Sequence, residues 1–438
     1  MKNKPHSDCL RVGTLILGGG ITGLSVAYHF EQQCQTDYLL VEKNSFFGGL
    51  CASEKHRGFT FDCSGHLLHL HDTYTIRLVR HLLRGNLLHH KRRAFVDFGN
   101  SRIPFPFQAN LWAAPQSVRQ ECLATAKEAL HAKSTPVKNF EQWCLRTFGT
   151  GIYRHFLKPY NAKLWQTEPA KLSWDWCSDF VPSPNIKQIE SGAKHKPFAT
   201  YGYNADFYYP RHGGCGALVQ ALVSHIPNTW LQASVEQIDL KKRCALINGK
   251  YVYFTSLINT LPLPDFIKLC KSVPVKIKQS AKQLKHTSVH VFQFAIDRKI
   301  KPFHWIYFPQ PDVPFFRVGM QSAFSPSNAP AGTSSFYVET TQPSIHPRRT
   351  QNAILNTLWQ KGIIKKQDRI LCSFWRTVTP GYAVYDFKRA AAQKQLVRWL
   401  QRQHCFCAGR YGLWEYSFIE RNLLQGRNLA QQLARINK

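Results

Sequence analysis

Acidic side chains are scarce in this sequence. Of 438 residues, 26 are Asp or Glu against 57 Lys or Arg, which gives a formal net charge of +31. Charged residues of both signs reach only 19% while apolar residues reach 44%, a balance that excludes an intrinsically disordered chain. Gly (26) and Pro (24) stay at ordinary levels and no heptads repeat, which excludes collagen, coiled-coil and low-complexity architectures. No run of eighteen apolar residues occurs, so the signature of a transmembrane helix is missing. The basic segment Met1 to Arg11 has neither a long apolar stretch nor a small-residue cleavage site, and it reads as a short tail before a strand rather than a signal peptide.

What remains is a chain able to bury a large core, long enough for two or three domains or one large domain with an insertion. Its 13% aromatic content points to a flat or greasy ligand site. Thirteen cysteines are an odd number, and Cys34, Cys63, Cys144 and Cys270 sit among apolar residues. That usage predicts reduced, buried thiols in a cytoplasmic protein rather than a disulfide framework. Cys405 and Cys407 would share one face of a strand in a geometry too strained to bridge readily. The positive excess attracts anions: a small anionic substrate or a peripheral membrane contact fits it, while no recognisable nucleic-acid motif accompanies it. The densest basic stretch, Arg77 to Arg93, alternates with Ile76, Val79, Leu82, Leu83, Leu87 and Leu88 and reads as a basic amphipathic helix. No signal for an oligomeric state is present.

The most informative segment starts at Thr14-Leu15-Ile16-Leu17, an apolar run of strand length. Gly18-Gly19-Gly20-Ile21-Thr22-Gly23 follows, then a helical pattern, then the strand Tyr38-Leu39-Leu40-Val41 ending in Glu42 and Lys43. Strand, Gly-x-Gly-x-x-Gly, helix, strand and acid in this order form a dinucleotide-binding unit. Gly18 permits the tight turn, Gly20 lets a pyrophosphate approach the backbone, and Gly23 allows close helix–strand contact. The helix N-terminus beside Ile21 and Thr22 offers free N–H groups to phosphates. Glu42 can accept hydrogen bonds from ribose hydroxyls.

A second glycine pair, Gly48-Gly49 with Leu50, comes just past the acid, followed by Gly65-His66-Leu67-Leu68-His69. With these motifs the chain resembles the glutathione-reductase-like FAD superfamily, in its amine-oxidase, protoporphyrinogen-oxidase and UDP-galactopyranose-mutase branch. The His66 loop is similar to the mutase Gly-x-His-x-Phe-His loop, in which the first histidine lies beside the flavin. Phe156-Leu157-Lys158-Pro159-Tyr160-Asn161-Ala162-Lys163-Leu164-Trp165 resembles a mutase helix. Pro380-Gly381-Tyr382-Ala383-Val384-Tyr385-Asp386 resembles a segment near the substrate. Gly409-Arg410 with Tyr416, Ile419 and Glu420 resembles the mutase C-terminal motif. Departures are Leu50 in place of an asparagine, Ile419-Glu420 in place of Met-Asp, and Phe180-Val181-Pro182-Ser183-Pro184 where mutases carry an arginine-bearing segment. His66, His69 and His71 lie close in sequence, but no acid or cysteine follows at metal-ligand spacing, so no metal is expected.

The resemblance implies an α/β protein. Residues 1–100, 205–270 and 401–438 form a Rossmann-type FAD-binding domain, and 101–204 with 271–400 form an inserted α+β substrate domain. It implies noncovalent FAD, with Val235 against the adenine, Arg410 on the diphosphate and the last helix N-terminus near Ile419 and Glu420 at the flavin. His66, Tyr382 and Tyr385 are the candidate catalytic residues. The leading expectation is an FAD-dependent oxidoreductase for an anionic small molecule, such as a sugar nucleotide or a cell-surface polysaccharide precursor. The alternatives are a mutase-like isomerase using reduced FAD, for which a nicotinamide donor would supply the electrons, and a basic flavin-binding module.

Overall fold

A computed structural model describes residues 9–99, 101–131, 136–197 and 201–436. Of the segment read as a basic tail, 1–8 lie outside the described residues. The first strand begins at Cys9 and so takes up Leu10 and Arg11.

Strand Cys9–Leu17 pairs in parallel with Tyr38–Val41 on one side and with Lys250–Asn259 on the other. Thr229–Trp230 and Cys405–Cys407 extend this sheet in parallel, and the hairpin Val235–Asp239/Cys244–Ile247 closes it in antiparallel sense. The reason lies in the residues. Leu15, Ile16 and Leu17 are all fully buried, and a run apolar on both faces suits a parallel strand covered on both sides. Ile16 and Ile258 face helices Ile21–Glu31 and Ile419–Ile436. Those two helices cross closely, with the Ser25 hydroxyl donating to the Leu423 carbonyl at 2.7 Å. Leu15, Leu17 and Leu257 face the opposite layer, helices Leu263–Leu269, Val275–Gln283 and Arg389–Gln401.

A second sheet runs in the order Ile370–Ala383, His286–Ile296, Ser334–Thr340, Arg317–Gly319, Trp305–Tyr307, Ala94–Phe98, Ser101–Pro104. Its pairs are antiparallel except Trp305–Tyr307 with Ala94–Phe98. Helices Gln116–His131, Phe140–Ile152, Lys158–Trp165 and Ile186–Lys194 cover this sheet with an aromatic layer. Ala94–Phe98 belongs to the second sheet, pairing with Trp305–Tyr307 and Ser101–Pro104. Helices Val275–Gln283 and Arg389–Gln401 pack on the first sheet because their apolar stripes (Ile277 and Ala281, Leu396 and Leu400) are buried there.

Two local expectations also change. The helix read over Arg77–Arg93 spans Thr73–Leu83 and stops where Arg84 (φ 46°) and Gly85 (φ 83°) turn left-handed. Leu88–Lys91 is then a strand paired with Asp206–Tyr209. Cys34, expected to be buried, is exposed just past the end of helix Ile21–Glu31. Cys51, Cys63, Cys122, Cys144, Cys177, Cys215, Cys244, Cys270, Cys372 and Cys405 are buried free thiols, and Cys407 is a half-buried one.

Candidate functional site

The glycine turn has the geometry its residues demand. Gly18 sits at φ +102°, and a Cβ on Gly23 would lie 2.0 Å from the Gly18 carbonyl oxygen. Gly20 caps helix Ile21–Glu31 in extended backbone, and a Cβ there would meet nothing within 4 Å. The first N–H groups of that helix therefore face open space. Gly48 (φ +112°) bridges Gly20 and donates its N–H to the Gly19 carbonyl at 2.7 Å. From the other end of the chain, Gly409 packs so close that a Cβ would lie 2.4 Å from the Thr22 hydroxyl. Gly20, Ile21, Thr22, Gly48, Leu50 and Gly409 thus line one groove of about 580 Å³.

The groove adjoins a cavity of about 1290 Å³ lined by the second sheet (Trp305, Tyr307, Arg317, Tyr337) and by helix Lys158–Trp165. His66, Arg410, Ser417, Phe418 and Ile419 line both. Gly65, Leu67 and Tyr382 line the cavity alone, among Phe156, Tyr160, Trp165, Tyr203 and Tyr416. Gly65 is required because its Cβ would fall 1.9 Å from the Tyr337 hydroxyl.

Charge in this cavity is unevenly compensated. Arg317 donates through Nε to Glu339, which is 1% exposed and also accepts from the Ser64 hydroxyl. Arg410 donates to the carbonyls of Ser417 (3.2 Å) and Gly381 (2.9 Å) and lies over the rings of Tyr382 (5.0 Å) and Tyr416 (5.3 Å). Its Nε is buried without a partner, and among the described residues no carboxylate pairs with it. The His66 Nδ1 and Ser417 hydroxyl are also buried and unbonded. An anion with several acceptor atoms would satisfy this set.

Burial, with Arg410 and Arg317 nearby, pushes the His66 imidazole down to about 4. Burial likewise holds His69 near 4 and His304 near 3. All three are neutral at pH 7, whereas in the unfolded chain each takes up a proton near 6.5. Below that value the unfolded state binds more protons, so stability is present above pH 6.5 and is lost as pH falls toward 4. The melting temperature should drop between pH 7 and pH 4.5, and less steeply in His69→Gln.

The remaining expected site residues have the following neighbours. The Glu42 carboxylate accepts from Gly19 N–H (2.9 Å) and from Asn44 N–H (2.9 Å), so it braces the glycine turn. Lys43 is exposed and away from the groove. Gly49 touches Gly20, with its Cβ position 3.5 Å from the Gly20 Cα. Val235 starts its strand two residues after Ala233, whose N–H donates to the Glu42 carbonyl at 2.8 Å, and it does not line the groove. The Glu420 carboxylate accepts from His71 N–H, Asp72 N–H and the Thr75 hydroxyl, tying helix Thr73–Leu83 to the start of the last helix. Tyr385 lies behind the cavity wall, its hydroxyl accepting the Tyr416 N–H at 2.8 Å and its ring under Arg389. His69 and His71 bond separate carbonyls, Asp206 and Tyr203, and no group of metal-ligating side chains forms among the described residues. Arg317 and Glu339 were missed from sequence. The available signals were a cation inside Phe315-Phe316-Arg317-Val318 and an acid ending an apolar strand.

A family model described as an NAD(P)-binding Rossmann-like domain matches residues 16–83. Among solved structures, reduced UDP-galactopyranose mutase is similar with a TM-score of 0.92 at 24% identity, over 97% of this chain and 96% of that one. This chain has the UDP-galactopyranose mutase fold. A protein described as a protoporphyrinogen oxidase from Exiguobacterium sp. follows at TM-score 0.74 and 15% identity, over 98% and 99% of the two chains. A putrescine oxidase follows at 0.67 and 13%, over 98% and 100%. Among the described residues no helix is long and apolar enough to cross a membrane.

Proposed function

We propose that this protein is a flavin-dependent enzyme that holds FAD noncovalently in the groove and a small anionic substrate in the adjoining cavity. The observation that carries the reading is the shared wall. His66, Arg410, Ser417, Phe418 and Ile419 border both spaces, and within that wall a guanidinium nitrogen and an imidazole nitrogen lie buried and unbonded. The groove suits a dinucleotide on its own geometry. Backbone is bare at Gly20, helix N–H groups are free, and glycine stands wherever a side chain would intrude.

Bound there, FAD would supply a two-electron carrier at the cavity floor. The chain's own contribution is positional. Gly18, Gly20 and Gly23 with Ile21 and Thr22 would seat the diphosphate, and Gly48, Gly49 and Leu50 would bound the groove. Neutral His66 would offer one hydrogen bond at the junction without adding charge. Tyr160, Tyr203, Tyr382 and Tyr416 would exclude water and stack on a flat or sugar-like group. Arg410 would hold the substrate's anionic part. Discontinuous halves, one binding cofactor and one covering substrate, follow the two sheets.

Oxidation of the substrate is the first reading. Isomerisation without net redox is the second, favoured by the closer likeness to reduced UDP-galactopyranose mutase than to the oxidases. Purified protein incubated with FAD should become yellow. Anaerobic addition of sugar nucleotides should then bleach the oxidised protein under the first reading. Under the second, only dithionite- or nicotinamide-reduced protein should interconvert sugar ring forms. A protein that takes up no FAD overturns both.

A further inference from the structure

Helices Val275–Gln283 and Arg389–Gln401 lie side by side on the outside of the first sheet. They run antiparallel. The Ser280 hydroxyl bonds Gln395 at 2.8 Å in the middle, and Lys285, just past the first helix, reaches Asp386, just before the second, at 3.3 Å. Their inner stripes are committed to the core through Ile277, Ala281, Leu396 and Leu400. Their outer faces carry Lys276, Lys278, Lys282, Lys394 and Arg398, all exposed. Neither helix contains an Asp or Glu. The acids closest in sequence, Asp265 and Asp386, are already paired with Lys268 and Lys285.

Two apolar side chains bracket this basic face. Val275 is 72% exposed at the start of the first helix, and Phe387 is 58% exposed at the approach to the second. They are the most exposed large apolar side chains among the described residues. The antiparallel arrangement sets them at opposite ends of the pair. A solvated basic face has no use for protruding Val and Phe, and a nucleic-acid phosphate backbone offers them nothing. A bilayer interface rewards both features, cations at the headgroups and apolar side chains at the acyl boundary.

We propose that this helix pair is a peripheral docking face for an anionic lipid bilayer. The same helices also support the candidate site from behind. Arg389 donates to the Trp414 carbonyl (2.8 Å) and Gln393 to the Leu413 carbonyl (3.0 Å), just past the short helix Gly409–Gly412 that carries Arg410. A membrane-seated protein would therefore keep its cavity within reach of substrates that are made or consumed at the bilayer surface.

The test is co-sedimentation of the full chain with vesicles of phosphatidylcholine alone and of phosphatidylcholine with phosphatidylglycerol, at physiological ionic strength. The parent should bind only the anionic vesicles. Lys276→Glu/Lys278→Glu/Lys282→Glu should lower the partition coefficient about 100-fold. Arg77→Glu/Arg80→Glu/Arg84→Glu, equal in charge change but on helix Thr73–Leu83 and the residue that ends it, should lower it by less than about 5-fold. Val275→Ser/Phe387→Ser, with every charge intact, should lower it about 10-fold. Far-UV circular dichroism checks that each variant is folded. Equal losses from the two charge reversals would mean that net charge alone attracts the vesicles, and would overturn the proposal. Unchanged vesicle binding by the Ser pair, together with duplex oligonucleotide retention that the Lys276/Lys278/Lys282 reversal abolishes, would assign the face to nucleic acid and overturn it too.

Discussion

Gly20→Val should leave the cofactor-free protein as stable as the parent and weaken its binding of FAD about 100-fold. The backbone at Gly20 is extended (φ −75°, ψ 176°), a conformation open to any residue, and its Cβ direction is empty to 4 Å. A valine there strains nothing in the free protein. It does fill the space in front of the first helical N–H groups, where a diphosphate must sit. Losing two charge-assisted N–H bonds at about 1.5 kcal/mol each costs about 3 kcal/mol, or about two decades of affinity. Gly23→Ala is the contrasting variant. Its methyl would overlap the Gly18 carbonyl oxygen at 2.0 Å, so it should lower the melting temperature of the free protein itself. Thermal melting without cofactor and fluorescence titration with FAD separate the two. Were Gly20→Val to bind FAD like the parent, the groove would not be the dinucleotide site.

The contrast marks what the sequence could and could not disclose. The glycine turn was legible because its residue types are dictated locally, each glycine answering to a backbone angle or a contact within the same strand–turn–helix unit. Strands His286–Ile296, Ser334–Thr340 and Ile370–Ala383 contain apolar runs of the kind that marks a strand. Their sheet order was not legible, since Ala94–Phe98 joins Trp305–Tyr307 across more than 200 residues. Side-chain partners that come from elsewhere in the fold were not legible. The Glu420 carboxylate takes its donors from His71, Asp72 and Thr75, at the other end of the chain. Tyr382 and Tyr385 are three apart in one segment, and only the fold decides that Tyr382 faces the cavity while Tyr385 faces Arg389. Arg84 and Gly85 did carry a local stop signal, which the longer amphipathic pattern masked.

Arg410→Gln should weaken binding of a diphosphate anion in the cavity about 100-fold while changing FAD affinity less than about 10-fold. The sequence motif suggested a grip on the FAD diphosphate. Arg410 borders both spaces, but its guanidinium lies over the cavity-wall rings of Tyr382 and Tyr416 and bonds the Gly381 and Ser417 carbonyls, which favours a grip on an anion in the cavity. With Arg317 neutralised by Glu339, Arg410 is the guanidinium left to meet an incoming anion. Charge-assisted bonds to such a group are worth about 1.5–3 kcal/mol, and the upper end of that range sets the expected loss. Glutamine keeps a donor for one carbonyl and removes the charge, so the variant should fold. Arg317→Gln should instead destabilise the protein by about 3 kcal/mol or more, since it strands the buried Glu339 carboxylate. Titration of the FAD-loaded protein with UDP or inorganic pyrophosphate, read through tryptophan fluorescence, gives the first number, and urea unfolding gives the second. If Arg410→Gln loses FAD and keeps the anion, the guanidinium belongs to the groove, and the cavity must recognise its substrate by its aromatic walls.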